Sequence, residues 1–460
     1  MNLWILTEER PKIEVLKQIL NKFAVDKGFA AFIDNLRILP VLQDGKFSFT
    51  YELIGFRCNK VNKIFIKTVS GNSSFVDFLV FFQDKEPTIK DIPIYAIEET
   101  KTDDSESRNT GVYQRCSKFV FLQYYYPDVK MIMLYNLRIK QKEKPTQTNI
   151  FGTKLLLTLG VEILGKELDK GVFTPFSSIK EIIDFKKQMR SAPKGNVPIE
   201  IKQKPDSIEI SGRLVKSDSL SHDPNIGALS IISAVLRKLG WKKNLTIIKH
   251  GLKQKHLKGS NKFILIAVKL NISLKNITLP KAELKTDYWH YDREGEKLGT
   301  IFIHIVVERF TEGYSIFENH AGSEKGYFIT AKGEYIPLAK YENREKYKAG
   351  DKNKIIHIPD LILIDFGRSE VINIEGKKYK FREDGIKELK NYGFIERNYI
   401  KKYYPKFEIV RTVVLYGSKE KEIIEIEVGF LLNEEGNLIL GVKAPALFKQ
   451  AIRNLLDFWS

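Results

Sequence analysis

The chain has 460 residues and a mass of 53.2 kDa, with 75 Lys plus Arg against 57 Asp plus Glu, a formal net charge of +18. Hydrophobic residues at 43% and aromatics at 12% are enough to bury real cores, so the composition excludes a disordered chain, and the length predicts two or three domains. So basic a chain points to a polyanionic partner, most often nucleic acid, against the plainer alternative of a basic surface with no partner.

The N-terminal MNLWILTEERPK has no basic stretch ahead of an apolar run, which argues against a signal peptide, and no stretch of about 18 uninterrupted apolar residues is present to span a membrane. Cys58 and Cys116 make neither a metal pattern nor a disulfide framework, so a reducing compartment is expected.

Residues 8–35 read as helix, with Ile13, Leu16, Ile19, Leu20 and Phe23 at helical spacing. Strands with one long helix follow over about 48–138. FVDFLVFF (75–82) is apolar around one aspartate, and IYAIEETK (94–101) is a strand ending in Glu-Thr-Lys. SESRNTGVYQRCSKFVFLQYYYP (105–127) is a helix, and VKMIMLY (129–135) is a buried strand. The Ser-, Pro-, Lys- and Gly-rich 191–222 is the expected linker between an N-terminal domain 1–190 and a C-terminal domain 223–460, with IEI at 208–210 a candidate short strand. Asp223-Pro224-Asn225 opens a helix over IGALSIISAVLRKLG. TIFIHIVV (300–307) reads as an apolar strand that makes His304 a satisfied core histidine.

The second half then echoes the first. IPDLILIDF (358–366) is apolar around one aspartate, VINIEGKK (371–378) is a strand ending in Glu-Gly-Lys, 383–405 is a helix broken near Gly393, and IVRTVVLY (409–416) is a buried strand. Both halves read strand, strand, helix, strand. Both helices end in Tyr-Tyr-Pro and both last strands in Leu-Tyr, which predicts a mixed α/β fold with a duplicated core.

Each core carries one constellation. Asp77 precedes Glu99 and Lys101; Asp360 precedes Glu375 and Lys377. Residues i and i+2 of a strand share a face, so the acid and the lysine project together, and a neighbouring strand can set the aspartate beside the acid. Two close carboxylates repel, and a divalent cation relieves the repulsion; oxygen ligands with open water positions suit Mg²⁺. Such a metal lowers the pKa of a bound water, and an ammonium beside it stabilises developing negative charge. This is phosphodiester-hydrolysis chemistry. The alternative is a solvated strand face with an ion pair, but both triplets end apolar runs where such a face would alternate.

Pro359-Asp360 with Ile374-Glu375-Gly376-Lys377 resembles the signature of the PD-(D/E)xK nucleases, type II restriction endonucleases in particular, and Val76-Asp77 with Glu98-Glu99-Thr100-Lys101 resembles it with Val in place of Pro. The resemblance covers about 48–138 and 300–418. It implies two restriction-endonuclease-like cores of mixed sheet flanked by helices, and Mg²⁺-dependent cleavage of double-stranded DNA. Asp77, Glu99 and Lys101 would form one catalytic set and Asp360, Glu375 and Lys377 the other, with Asp77, Glu99, Asp360 and Glu375 as metal ligands. It further implies a prokaryotic cytoplasmic enzyme partnered by a DNA methyltransferase. Two unlike sites in one chain would let a monomer cut both strands of an asymmetric sequence, one strand per site.

Candidate supporting residues are Gln114 with Lys118 one turn on, and Glu318 or Glu324 as a further carboxylate. Glu98 ranks below Glu99 because it points away from it, and His320 is expected on a solvated loop. Residues 231–262 hold nine Lys or Arg and no acid, which reads as a phosphate-contacting run that includes Lys242, Lys243, Lys253 and Lys255. His222, Asn225, Arg108 and Asn109 are placed to meet phosphates or base edges. Three other readings stay open: one working site with a degenerate copy used for recognition, a non-catalytic DNA-binding or chromatin protein, and an RNA-directed or repair nuclease.

Overall fold

The structure, a computed structural model, describes residues 1–43, 46–68, 76–100, 111–135, 147–165, 167–189, 199–212, 224–257, 261–284, 297–320, 325–339, 356–416, 426–427, 431–432, 438–439 and 444–460. The fold is mixed α/β. Contacts group the chain into two units, one of residues 1–71, 83–85 and 291–460 and one of residues 72–82 and 86–290. This grouping differs from a division at 190 and 222. Part of the expected linker is sheet, with strands at Glu200–Gln203 and Ser207–Ser211. Among the described residues no helix is long and apolar enough to cross a membrane.

The first unit begins with β1 (Asn2–Thr7), α1 (Ile13–Lys27), β2 (Ala31–Gln43), β3 (Lys46–Cys58) and β4 (Ile64–Thr68). The helix expected over 8–35 stops at Gly28, whose left-handed backbone (φ 63°) caps α1, and the chain leaves as the antiparallel partner of β3. In the second unit β5 (Phe78–Gln83) and β6 (Tyr95–Thr100) are antiparallel, α2 (Gly111–Tyr125) crosses over, and β7 (Lys130–Tyr135) lies parallel to β6. Its remaining helices include α3 (Gln147–Leu159), α4 (Ile179–Gln188), α5 (Pro224–Lys238) and α6 (Asn261–Lys269); α5 and α6 both pack on α2.

The later part of the first unit repeats that order. After α7 (Leu298–Phe310) come strands at Tyr314–Glu318, Leu361–Asp365, Glu370–Lys378 and Glu408–Tyr416, in that order across one sheet. The first two pairings are antiparallel and the last is parallel. Between the last two strands lie α8 (Arg382–Leu389) and a segment of short helical turns to Tyr403. The break expected near Gly393 is there, where the helix type changes. Residues 361–365 and 371–376 are buried without alternation, as befits central strands covered on both faces. TIFIHIVV, expected as a strand, lies in α7. The helix is apolar nearly all round and buried, so its sequence lacks an exposed stripe that would betray its period.

Candidate active sites

In the first unit, Asp360 sits at the mouth of the strand Leu361–Asp365. Its N–H bonds to the Ile374 carbonyl at 3.1 Å, and its Oδ2 accepts the Gly376 N–H at 2.9 Å. The register pairs Leu361 with Ile374, so Asp360 faces Glu375. Two residues on, Lys377 puts Nζ 2.8 Å from Glu375 Oε1 and 3.1 Å from Glu388 Oε2 on α8. The sequence-predicted trio Asp360, Glu375 and Lys377 thus converges.

Three unpredicted groups complete the cluster. Lys297 pairs with the other Asp360 oxygen, the Tyr392 hydroxyl donates to Glu375, and Glu388 shares a hydrogen bond with Glu375. Burial, then the Asp360 charge, push the Glu375 carboxyl up to about 8, while Lys377 and Tyr392 oppose the rise. For Glu388, burial works upward but hydrogen bonds from Glu375 and Lys377 prevail and hold it below its ordinary value. Burial and the Asp360 charge thus oppose full ionisation of the Glu375 and Glu388 pair. Asp360 and Glu375, whose charges oppose each other, are an oxygen donor set that a hard divalent cation satisfies.

In the second unit, Asp77 stands just before β5 and accepts the Glu99 N–H on Oδ2 at 2.6 Å. Asp77, Glu98 and Glu99 are all buried. Lys118 on α2 grips Glu98 with contacts of 3.0 and 2.9 Å to its two oxygens. Nearby on α6, Lys262 is buried, with no hydrogen bond to its Nζ among the described residues. Burial, then the charge of Lys118, bring it down to about 7, against the pull of Glu98. Lys101, Arg108, Asn109, His222 and Glu324 lie outside the described residues, as do the side chains of Gln114 and Asn225.

The basic run 231–262 is not one surface. Arg237 donates to four backbone carbonyls, those of Leu270, Trp241, Lys243 and Asn271, at 2.7–2.8 Å, and Lys238 to that of Leu159 at 2.8 Å. These two are structural anchors, and Lys262 is buried. Lys242, Lys243, Lys253 and Lys255 are exposed, and Lys243 also pairs with Asp206 at 2.8 Å.

Glu318 lies near Arg10 at 3.6 Å, Lys12 at 3.8 Å and His304 at 3.7 Å. His304 contacts His320 at 2.8 Å and Glu308 at 2.9 Å, and Arg10 pairs with Glu308. His320, expected on a solvated loop, is buried, with Thr300 Oγ1 3.3 Å from its Nδ1. His304, Glu318 and His320 hold possible ligand atoms within 4.8 Å of one another, with Arg10 and Lys12 near the Glu318 carboxylate and Glu318 Oε2 buried without a hydrogen bond among the described residues.

That network makes unfolding pH-sensitive. Burial, then the His304 charge, hold His320 well below its usual 6.5. For Glu318 burial works upward, yet Arg10, His304 and Lys12 bring it from 4.5 to about 2. Below 6.5 the unfolded chain takes up a proton that native His320 refuses, and below 4.5 one that native Glu318 refuses. The network's share of stability is therefore full above about 6.5 and falls as the pH drops, by at most ~1.4 kcal/mol per pH unit for each such proton. Because Glu375 and Lys262 also shift on folding, that share is read by difference: the wild-type urea midpoint minus that of His320→Asn should fall in order from pH 8 to 6, 5 and 4. A difference that grows on acidification would contradict this.

No family model, curated protein or solved structure matches the chain.

Proposed function

We propose that the chain is a Mg²⁺-dependent type II restriction endonuclease of the PD-(D/E)xK kind, hydrolysing double-stranded DNA at an asymmetric site, with two centres that each cut one strand. On this reading it acts as a monomer on DNA in a prokaryotic cytoplasm, beside a cognate methyltransferase. The observation that carries it is the meeting of Asp360, Glu375 and Lys377 at one buried strand edge, in a strand–strand–helix–strand order that the other unit repeats around Asp77.

In the first unit's centre Asp360 and Glu375 would hold the cation, which when bound supplies charge neutralisation at the phosphate and a more acidic water. Lys377, fixed between Glu375 and Glu388, is placed to orient the attacking water and to stabilise the negative charge that grows on the phosphate. Tyr392 and Gly376 N–H fix the two carboxyls so that little reorganisation is needed. The exposed Lys242, Lys253 and Lys255 offer phosphate contacts that set register without reading sequence.

The test is incubation of the purified chain with plasmid of mixed sequence and Mg²⁺, then with EDTA. Discrete fragments that vanish with EDTA, with run-off ends at one sequence, are the expected outcome. Retarded but uncut DNA favours the DNA-binding reading, which has one observation in its support: Lys297 already balances Asp360.

A further inference from the structure

We infer that the second unit's centre takes its second carboxylate from Glu98 and its ammonium from Lys118, in place of Glu99 and Lys101. This rests on the nuclease reading above and refines one of its two sites.

The argument is one of register. In the first unit Leu361 pairs with Ile374, so one step outward Asp360 faces Glu375. In the second, Phe78 pairs with Ile97, so one step outward Asp77 faces Glu98. Directly opposed residues of an antiparallel pair lie on the same face of the sheet, and neighbours along a strand lie on opposite faces. The aspartate hydrogen bonds check this alignment independently. Asp360 Oδ2 accepts the N–H of Gly376, the residue after Glu375, and Asp77 Oδ2 accepts that of Glu99, the residue after Glu98. Glu98-Glu99-Thr100 is thus the counterpart of Glu375-Gly376-Lys377, and the strand position that carries lysine in one centre carries threonine in the other.

The missing ammonium comes from the helix. In the first unit the crossover helix α8 supplies Glu388 to the cluster, while the strand supplies Lys377. In the second, the crossover helix α2 supplies Lys118, whose Nζ lies 3.0 and 2.9 Å from the two Glu98 oxygens, against 2.8 Å between Lys377 and Glu375. Both ammoniums therefore reach the carboxylate that faces the aspartate, one from the strand and one across from the helix. A purely structural role for the pair is poorly motivated, because a buried ion pair seldom outdoes apolar residues of the same volume.

The experiment compares full-length Glu98→Gln and Lys118→Met with Glu99→Gln and Lys101→Met. A charge-balanced Glu98→Gln/Lys118→Gln double variant guards against misfolding, read by thermal melting. Cleavage is scored separately on each strand of an end-labelled duplex, and Mn²⁺ binding is titrated calorimetrically on the same proteins without DNA. The Glu98 and Lys118 variants should lose cutting of one strand by about 10²–10³-fold and spare the other, and Glu98→Gln should lose one Mn²⁺ site. The Glu99 and Lys101 variants should cut both strands and keep the metal stoichiometry. The reverse pattern overturns the assignment. If the wild-type chain never cuts, the nuclease reading falls, and the Mn²⁺ titration of Glu98→Gln against Glu99→Gln still decides the ligand.

Discussion

Lys377→Ala is expected to turn the protein into a nickase, slowing cleavage of one DNA strand by about 10²–10³-fold while the other is cut at the normal rate. Its ammonium lies between Glu375 and Glu388 with only 12% of its side chain exposed, so no bulk cation readily substitutes for it. Little stability should go with it. Glu388 is 42% exposed, so removal of Lys377 leaves one of its two carboxylate partners open to solvent, and Tyr392 still donates to the other. The measurement is the rate of appearance of each nicked strand from a duplex labelled at both ends, alongside a melting curve. A combination with Lys118→Met should leave the duplex intact. Equal slowing of both strands by Lys377→Ala would refute two centres with one strand each.

The parts of the molecule that the sequence discloses are those whose signal is local. Apolar runs around Asp77 and Asp360 read as strands because their residues are buried on both faces, and Glu375 with Lys377 could be paired by spacing alone, since both lie on one strand. Lys297, Glu388 and Tyr392 come from other elements and carry no spacing that leads to Asp360 or Glu375. The Glu388 to Tyr392 interval is one helical turn, but the helix changes type between them and the periodicity is lost. At Glu98-Glu99 the text offers two adjacent acids. A spacing rule prefers Glu99 because Lys101 follows it, whereas register prefers Glu98, and a one-residue slip exchanges the two faces of a strand. Nothing in the amino-acid order states which residue Phe78 will face. His320 looked solvated because FENHAGSEK is polar; its burial comes from Thr300 and His304 on α7, a helix that itself resembled a strand.

The same dependence on packing gives the second large effect, at a residue without a side chain. Gly385 on α8 passes so near the sheet that a Cβ there would lie 2.9 Å from Lys377 Cγ, 2.9 Å from Val413 Cγ1 and 3.3 Å from Val413 Cγ2. Its backbone is not in the left-handed region, so the constraint is contact rather than conformation. In an open helix, Gly→Ala would stabilise by roughly 0.5–1 kcal/mol. Here the methyl must push Lys377 or lift α8, and α8 also carries Glu388, the lysine's other partner. Gly385→Val, which adds two branches to that contact, should therefore displace the ammonium by a sizeable fraction of an ångström. A shift of about 1 Å at a reacting group costs on the order of 10²-fold. The loss should fall on the strand that Lys377→Ala spares least, since both act on one centre, while Gly385→Ala should give an intermediate rate. Strand-resolved rates with melting temperatures for both variants test this. A Gly385→Val protein that cuts both strands at the wild-type rate would show that Lys377 is not held where the close approach of α8 puts it.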